Sequence, residues 1–160
     1  MTHFATLLRK FNEDPIFRRV CIGNATFYEM VAEAILNDHG RAGYELAPHN
    51  ARSIDLVATD GKHVQVKVIG SKRGFAAIYA GRDLASEVVV ITSYGDRDRY
   101  FYMPMGAFKT IAMKYDKKGR AIPAEQPPEM WTIGPAQINK GLVSEYELFP
   151  FLPPEPLLPG

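Results

Sequence analysis

Apolar residues recur along this chain first at helical and then at strand spacing. Phe4, Leu7, Leu8 and Phe11 share one face of a helix predicted from Thr2 to Phe11. Asp14-Pro15 opens a second helix, because proline is tolerated at the first helical position, and Gly23-Asn24 breaks the chain. Phe27, Met30, Val31, Ala34 and Ile35 then line a helix from Thr26 to His39, stopped by Gly40. Strands follow: Tyr44 to Ala47, Ser53 to Thr59, Lys62 to Ile69 and Phe75 to Ala80. The valine run in Glu87 to Ser93 reads as a strand buried on both faces. A polar turn from Gly95 to Arg99 leads into a strand at Tyr100 to Met103, and Met105 to Met113 reads as a helix. Nine of the twelve prolines lie from Pro123 onward, so Phe149 to Gly160 is neither helix nor central strand. Its apolar residues suit a segment pinned against the body or a second subunit. The pattern predicts an α/β domain over 1–148, with a mixed central sheet flanked by helices, and a proline-rich apolar tail over 149–160.

The hairpin around Asp60-Gly61 has a register that its own side chains select. Ile54, Leu56 and Ala58 share one face of the first strand; Val64, Val66 and Val68 share one face of the second. A two-residue turn would set Ile54 and Leu56 across from Lys67 and Gln65, mixing apolar with polar faces. A three-residue loop, Thr59-Asp60-Gly61 with Gly61 left-handed, sets Leu56 across from Val64 and Asp55 across from Gln65. The register that keeps the core dry also gathers Asp55, Gln65 and Lys67.

Composition narrows the class. The chain has 160 residues, 46% hydrophobic and 23% charged, which is enough for one cored domain. No apolar run is long enough for a membrane span, and Met1 to Phe4 lacks the pattern of a secretory signal. The expected compartment is the cytoplasm. Cys21 is the only cysteine, so an internal disulfide and a multi-cysteine zinc site are excluded. The net charge of +1 hides an asymmetry: Ala121 to Gly160 carries five acids against Lys140, leaving Met1 to Arg120 at +5. Lys62, Lys67, Lys72 and Arg73 fall within twelve residues that contain no acid, with His63 beside them. Such a body can receive a polyanion.

A helical acid (Glu29 in Glu29-Met30-Val31-Ala32), an aspartate opening a hairpin (Ser53-Ile54-Asp55) and Gln65-Val66-Lys67 on the next strand occur here in that order. This constellation resembles the PD-(D/E)xK nuclease superfamily, with its restriction-endonuclease-like and Holliday-junction-resolvase-like fold, in a QxK variant. Gln65 stands where an acid is usual. The resemblance implies a metal-dependent endonuclease acting on DNA, with magnesium as cofactor and manganese as a substitute. Asp55, Gln65 and the Val66 backbone carbonyl are the implied metal ligands; Lys67 positions or deprotonates the attacking water; Glu29 acts through water. The residue types suit that chemistry. A divalent ion neutralises charge developing on a phosphodiester, and magnesium takes oxygen ligands while keeping several waters. Many members dimerise, and the apolar tail offers an interface for a homodimer.

Each residue also has a plainer reading. Asp55 facing Lys67 fits an ordinary cross-strand pair. Thr26-Phe27-Tyr28-Glu29 fits a capping box, in which Glu29 bonds the cap backbone, and Glu33, one turn on, is then the helical acid to consider. Gly70-Ser71-Lys72-Arg73-Gly74 is a turn whose cations either are solvated or grip phosphates, as Lys62, His63, Arg97 and Arg99 would too. His39, His49 and His63 lack metal-ligand spacing. Two other functions fit the same residues: a catalytically inactive nuclease-fold protein that binds nucleic acid, and an interaction protein of the immunity or antitoxin type.

Overall fold

The computed structural model describes residues 2–21, 26–40, 43–48, 53–123 and 125–151. The helices are α1 (His3–Glu13), α2 (Pro15–Cys21), α3 (Thr26–Asp38), α4 (Met105–Ile111) and α5 (Pro135–Asn139). The strands are β1 (Tyr44–Leu46), β2 (Leu56–Ala58), β3 (His63–Ile69), β4 (Ala76–Tyr79), β5 (Glu87–Thr92), β6 (Arg99–Pro104), β7 (Met113–Tyr115), β8 (Met130–Ile133) and β9 (Glu147–Leu148). Thr2 caps α1 by accepting the Ala5 N–H at 3.1 Å. Asp14 does the same for α2, taking the N–H groups of Ile16 and Phe17 at 3.0 and 3.1 Å.

The expected mixed sheet flanked by helices is present. Its order is β1-β2-β3-β5-β6-β9, with β3 and β5 parallel and the other pairs antiparallel. Each face of β5 serves a different core. Val89 and Ile91 join Val31, Ala32, Ile35 and Leu36 of α3, whereas Val88 and Val90 face Ile78, Phe108 and Ile133. The second core exists because a separate three-stranded sheet, β4-β8-β7, packs there with α4. The strand expected at Phe75 to Ala80 therefore belongs to this second sheet rather than to the first.

The hairpin has the three-residue loop. Leu56 pairs with Val64 and Val57 with His63, the Ala58 N–H donates to the Lys62 carbonyl at 2.8 Å, and Gly61 has φ +88°. The first strand is shorter than expected, starting at Leu56 instead of Ser53. Ser53 has φ +59°, a left-handed conformation that ends extended backbone. A proline, locked near φ of about −65°, cannot occupy this position.

The tail begins pinned. His39 Nε2 hydrogen-bonds the Phe149 carbonyl at 3.1 Å, the Thr2 hydroxyl donates to the Phe151 carbonyl at 3.0 Å, and His39 stacks on Phe151. Leu152, Leu157 and Leu158, like the expected break at Gly23-Asn24 and His49, lie outside the described residues. No helix among the described residues is long and apolar enough to cross a membrane.

Candidate active site

The early end of β2 creates the site. Successive residues of β3 turn their backbone groups to alternate neighbours. The His63 carbonyl accepts from Ser86 on the β5 side, and the Val64 carbonyl accepts from Asp55 on the β2 side. Val66 therefore faces the β2 side, where the ladder has already stopped. The Asp55 side chain fills the missing rung: its Oδ2 accepts the Val66 N–H at 2.6 Å, while the Asp55 carbonyl accepts from Ala47 at 2.8 Å. The register expected across from Gln65 is thus replaced by a side chain bonded to the strand edge between Gln65 and Lys67. The Val66 carbonyl opens on that same edge.

Helix α3 brings Glu29 to this carboxylate. Burial, then the charge of Asp55 and a hydrogen bond to it, raise the Glu29 carboxyl to about 7. Glu29 stands in the first turn of α3 and its carboxyl meets that of Asp55. Glu33 goes elsewhere: burial raises its pKa against a backbone hydrogen bond from Leu46, with Glu45 and His3 nearby. A cleft of about 340 Å³ opens here, lined by Thr26, Glu29, Leu46, Pro48, Ile54 and Asp55.

Gln65 and Lys67 pair with Val88 and Val90, so they share the sheet face of the second core. Gln65 is 6% exposed, and nothing among the described residues bonds its Oε1. A buried amide oxygen without a donor costs on the order of 1–3 kcal/mol. Lys67 is half-buried one residue beyond Val66.

The remaining cations separate. Lys62 and His63 lie at the far end of β3 from Lys72 and Arg73, about 20 Å along a strand of this length. Lys62 Nζ is 3.5 Å from the buried Glu87 carboxylate. Arg99 is committed to Glu147 through two hydrogen bonds, 2.7 and 3.0 Å long. Lys72 and Arg73 are exposed, on the turn after β3. Arg97 lies at the same end of the sheet, since Ile69 pairs with Thr92 and Thr92 with Arg99. Those ion pairs are long-range and leave no mark in local sequence.

The Glu29–Asp55 contact sets a pH dependence. The folded chain keeps a proton on Glu29 between pH 4.5 and about 7 that the unfolded chain has released. The stability linked to this proton is whole below pH 4.5 and is lost as pH rises through about 7. Allowing for solvent screening, the loss amounts to about 1–2 kcal/mol. Urea unfolding of Glu29→Gln should show a gain of that size over wild type at pH 8 that shrinks at pH 5. Curves that stay parallel at both pH values would contradict the contact.

No family model matches the sequence, and a search of curated proteins finds no match. Among solved structures, the chain is similar to Hjc, a Holliday junction resolvase from Archaeoglobus fulgidus. Sequence identity is 11%, the match covers 62% of this chain and 81% of that one, and the TM-score is 0.35.

Proposed function

We propose that this protein is a magnesium-dependent endonuclease that hydrolyses phosphodiester bonds in DNA. One observation carries the reading. Where β2 stops, the Asp55 carboxylate takes the rung on Val66 N–H with Glu29 against it, and Lys67 follows on the same strand.

The donor set suits magnesium. Among the described residues no group of three or more His, Cys, Asp or Glu side chains gathers to hold a metal. A magnesium ion that keeps several waters needs only one or two carboxylates. Asp55 would supply one, Glu29 a second through water, and the Val66 carbonyl and the unpartnered Gln65 Oε1 neutral oxygens. When bound, the ion supplies positive charge at the phosphate and acidity to nearby water. The protein's own groups do the rest. Asp55 is anchored at one oxygen by the Val66 N–H, which would keep its charge at the edge of β3 where a cation is wanted. Lys67 would hold the attacking water, accept or relay its proton, and offset charge on the phosphate as it grows. Lys72 and Arg73 would hold flanking phosphates without reading sequence.

A second reading, an inactive nuclease-fold protein that binds DNA, draws on Gln65 and Glu29. With Gln65 neutral and Glu29 protonated below about pH 7, Asp55 alone would charge the ligand set. Calorimetric titration separates the two. Gln65→Glu adds a unit charge and a carboxylate oxygen, so it should bind magnesium at least about tenfold more tightly than wild type. Equal affinities, or no binding by either protein, would remove Gln65 from a metal site.

A further inference from the structure

The second sheet turns one face inward and leaves part of the other exposed, around a buried Thr132 that pairs with Ala77 and Met113. Along β4 the exposure alternates: Ala76 and Ile78 are each 1% exposed, while Phe75 and Tyr79, flanking half-buried Ala77, are 55% and 53% exposed. Residues directly opposite across a sheet point the same way. Tyr79 pairs with Met130 and Met130 with Tyr115, so these three form a row across all three strands of the outer face. Met113, 47% exposed, lies on that face beside them. By strand spacing alone, the two tyrosines stand about 10 Å apart.

Cations bound this face at both ends. Phe75 directly follows the turn carrying Lys72 and Arg73, which itself follows Lys67 on β3. Beyond Tyr115, the turn after β7 exposes Lys117 and Lys118. Residues 109–120 hold five cations against Asp116 alone, the densest positive charge in the chain outside 62–73. Asp116 is itself occupied, accepting from the Lys118 and Arg120 backbone and from Arg120 Nε. Glu129, next to Met130, is an exposed acid in the bend before β8. A surface of planar rings rimmed by exposed cations matches a single nucleic-acid strand, whose bases present π-faces and whose phosphates are anionic. An apolar protein partner would gain nothing from the cations.

We propose that the outer face of the β4-β8-β7 sheet is a stacking platform for single-stranded DNA. In this arrangement Lys72 and Arg73 would take phosphates leaving the Asp55 site, Phe75 and Tyr79 would take the bases that follow, and Lys117 and Lys118 would hold the far end. The proposal rests on the nuclease reading for its direction, and narrows the substrate to a duplex with an unpaired arm or flap.

Fluorescence anisotropy in EDTA tests it without requiring cleavage. The probes are a labelled oligo(dT) strand and a blunt duplex. The proteins are wild type, Phe75→Ala, Tyr79→Ala, Tyr79→Phe and the double variant Lys117→Ala/Lys118→Ala. Each alanine at a ring should weaken strand binding about fivefold or more, leave the duplex unchanged and leave the salt slope alone. Tyr79→Phe keeps the ring and should bind as wild type, which separates stacking from misfolding. The lysine pair should lower the salt slope on the single strand by up to about 1.4, at roughly 0.7 per phosphate contact. Wild-type strand affinity in both ring variants, or equal losses on strand and duplex, would overturn the platform. So would a dimer in sedimentation that Tyr79→Ala dissociates, which would make the face a self-interface. The two readings fail separately. A wild type that never cuts but loses strand affinity through Tyr79 keeps the platform and removes the nuclease. One that cuts, with both ring variants unchanged, does the reverse.

Discussion

Asp55→Asn should lower the single-turnover rate of magnesium-dependent DNA cleavage by at least about 10³-fold, a size typical of removing a central electrostatic group from an active site. The substitution is chosen because it divides two jobs of one side chain. The asparagine carbonyl oxygen can still accept the Val66 N–H that Asp55 holds at 2.6 Å, so the strand edge keeps its bond. The charge is lost, and the second oxygen becomes an amide nitrogen that cannot ligate a cation. Folding should therefore survive, as thermal unfolding would show, and DNA binding in EDTA should hold or tighten slightly as an anion leaves the cleft. Glu29 provides an internal check. With the Asp55 charge gone, one of the causes raising its pKa disappears, so the stability of the variant should fall less between pH 5 and pH 8 than that of wild type. A cleavage rate within a few-fold of wild type would remove Asp55 from the chemistry.

Lys67→Ala carries the second large effect, and its signature is a rate lost at unchanged affinity. A group whose interaction strengthens as charge develops acts on the transition state more than on bound substrate. Cleavage at saturating protein should fall about 10²–10⁴-fold, with DNA affinity within a few-fold of wild type. The exposed turn should behave in the opposite way. Replacing Lys72 and Arg73 together by alanine should weaken binding to all duplex sequences alike and lower the dependence of log K on log salt by up to about two, since each phosphate contact contributes close to one. Their effect on the bound rate should be small. If Lys67→Ala instead loses binding and keeps its turnover, Lys67 is one more phosphate contact and the catalytic assignment fails.

The hairpin was legible in the sequence because two constraints agreed there. Alternating apolar residues demanded that Leu56 meet Val64, and Asp60-Gly61 could close a loop of the length that allows it. Helix α3 was legible for a similar reason, its buried stripe being continuous from Val31 to Leu36. The site's detail was not. That Asp55 would leave the ladder and bond the strand edge depends on the left-handed Ser53, and serine does not announce that conformation. The choice between Glu29 and Glu33 turns on how α3 sits over β1 and β3, a tertiary matter. The second sheet leaves little trace in sequence because β7 and β8 have three and four residues and lie on either side of a proline-rich stretch. Their partner β4 is some fifty residues away from β8 in sequence, and periodicity cannot see a pairing that distant. Lys62 to Arg73 is one basic strip in sequence, yet a strand of this length carries its two ends apart, and Glu87 engages the near end.

Cleavage by the wild-type chain is the most direct test of the account. The protein would be incubated with end-labelled linear, nicked and branched DNA in magnesium, in manganese and in EDTA, at pH 8 so that Glu29 is ionised. The proposed nuclease should give products in magnesium or manganese on at least one of the three substrates, and none in EDTA. Intact DNA with every metal and every substrate, alongside binding that weakens with salt, would contradict the nuclease and leave a nucleic-acid-binding protein in its place.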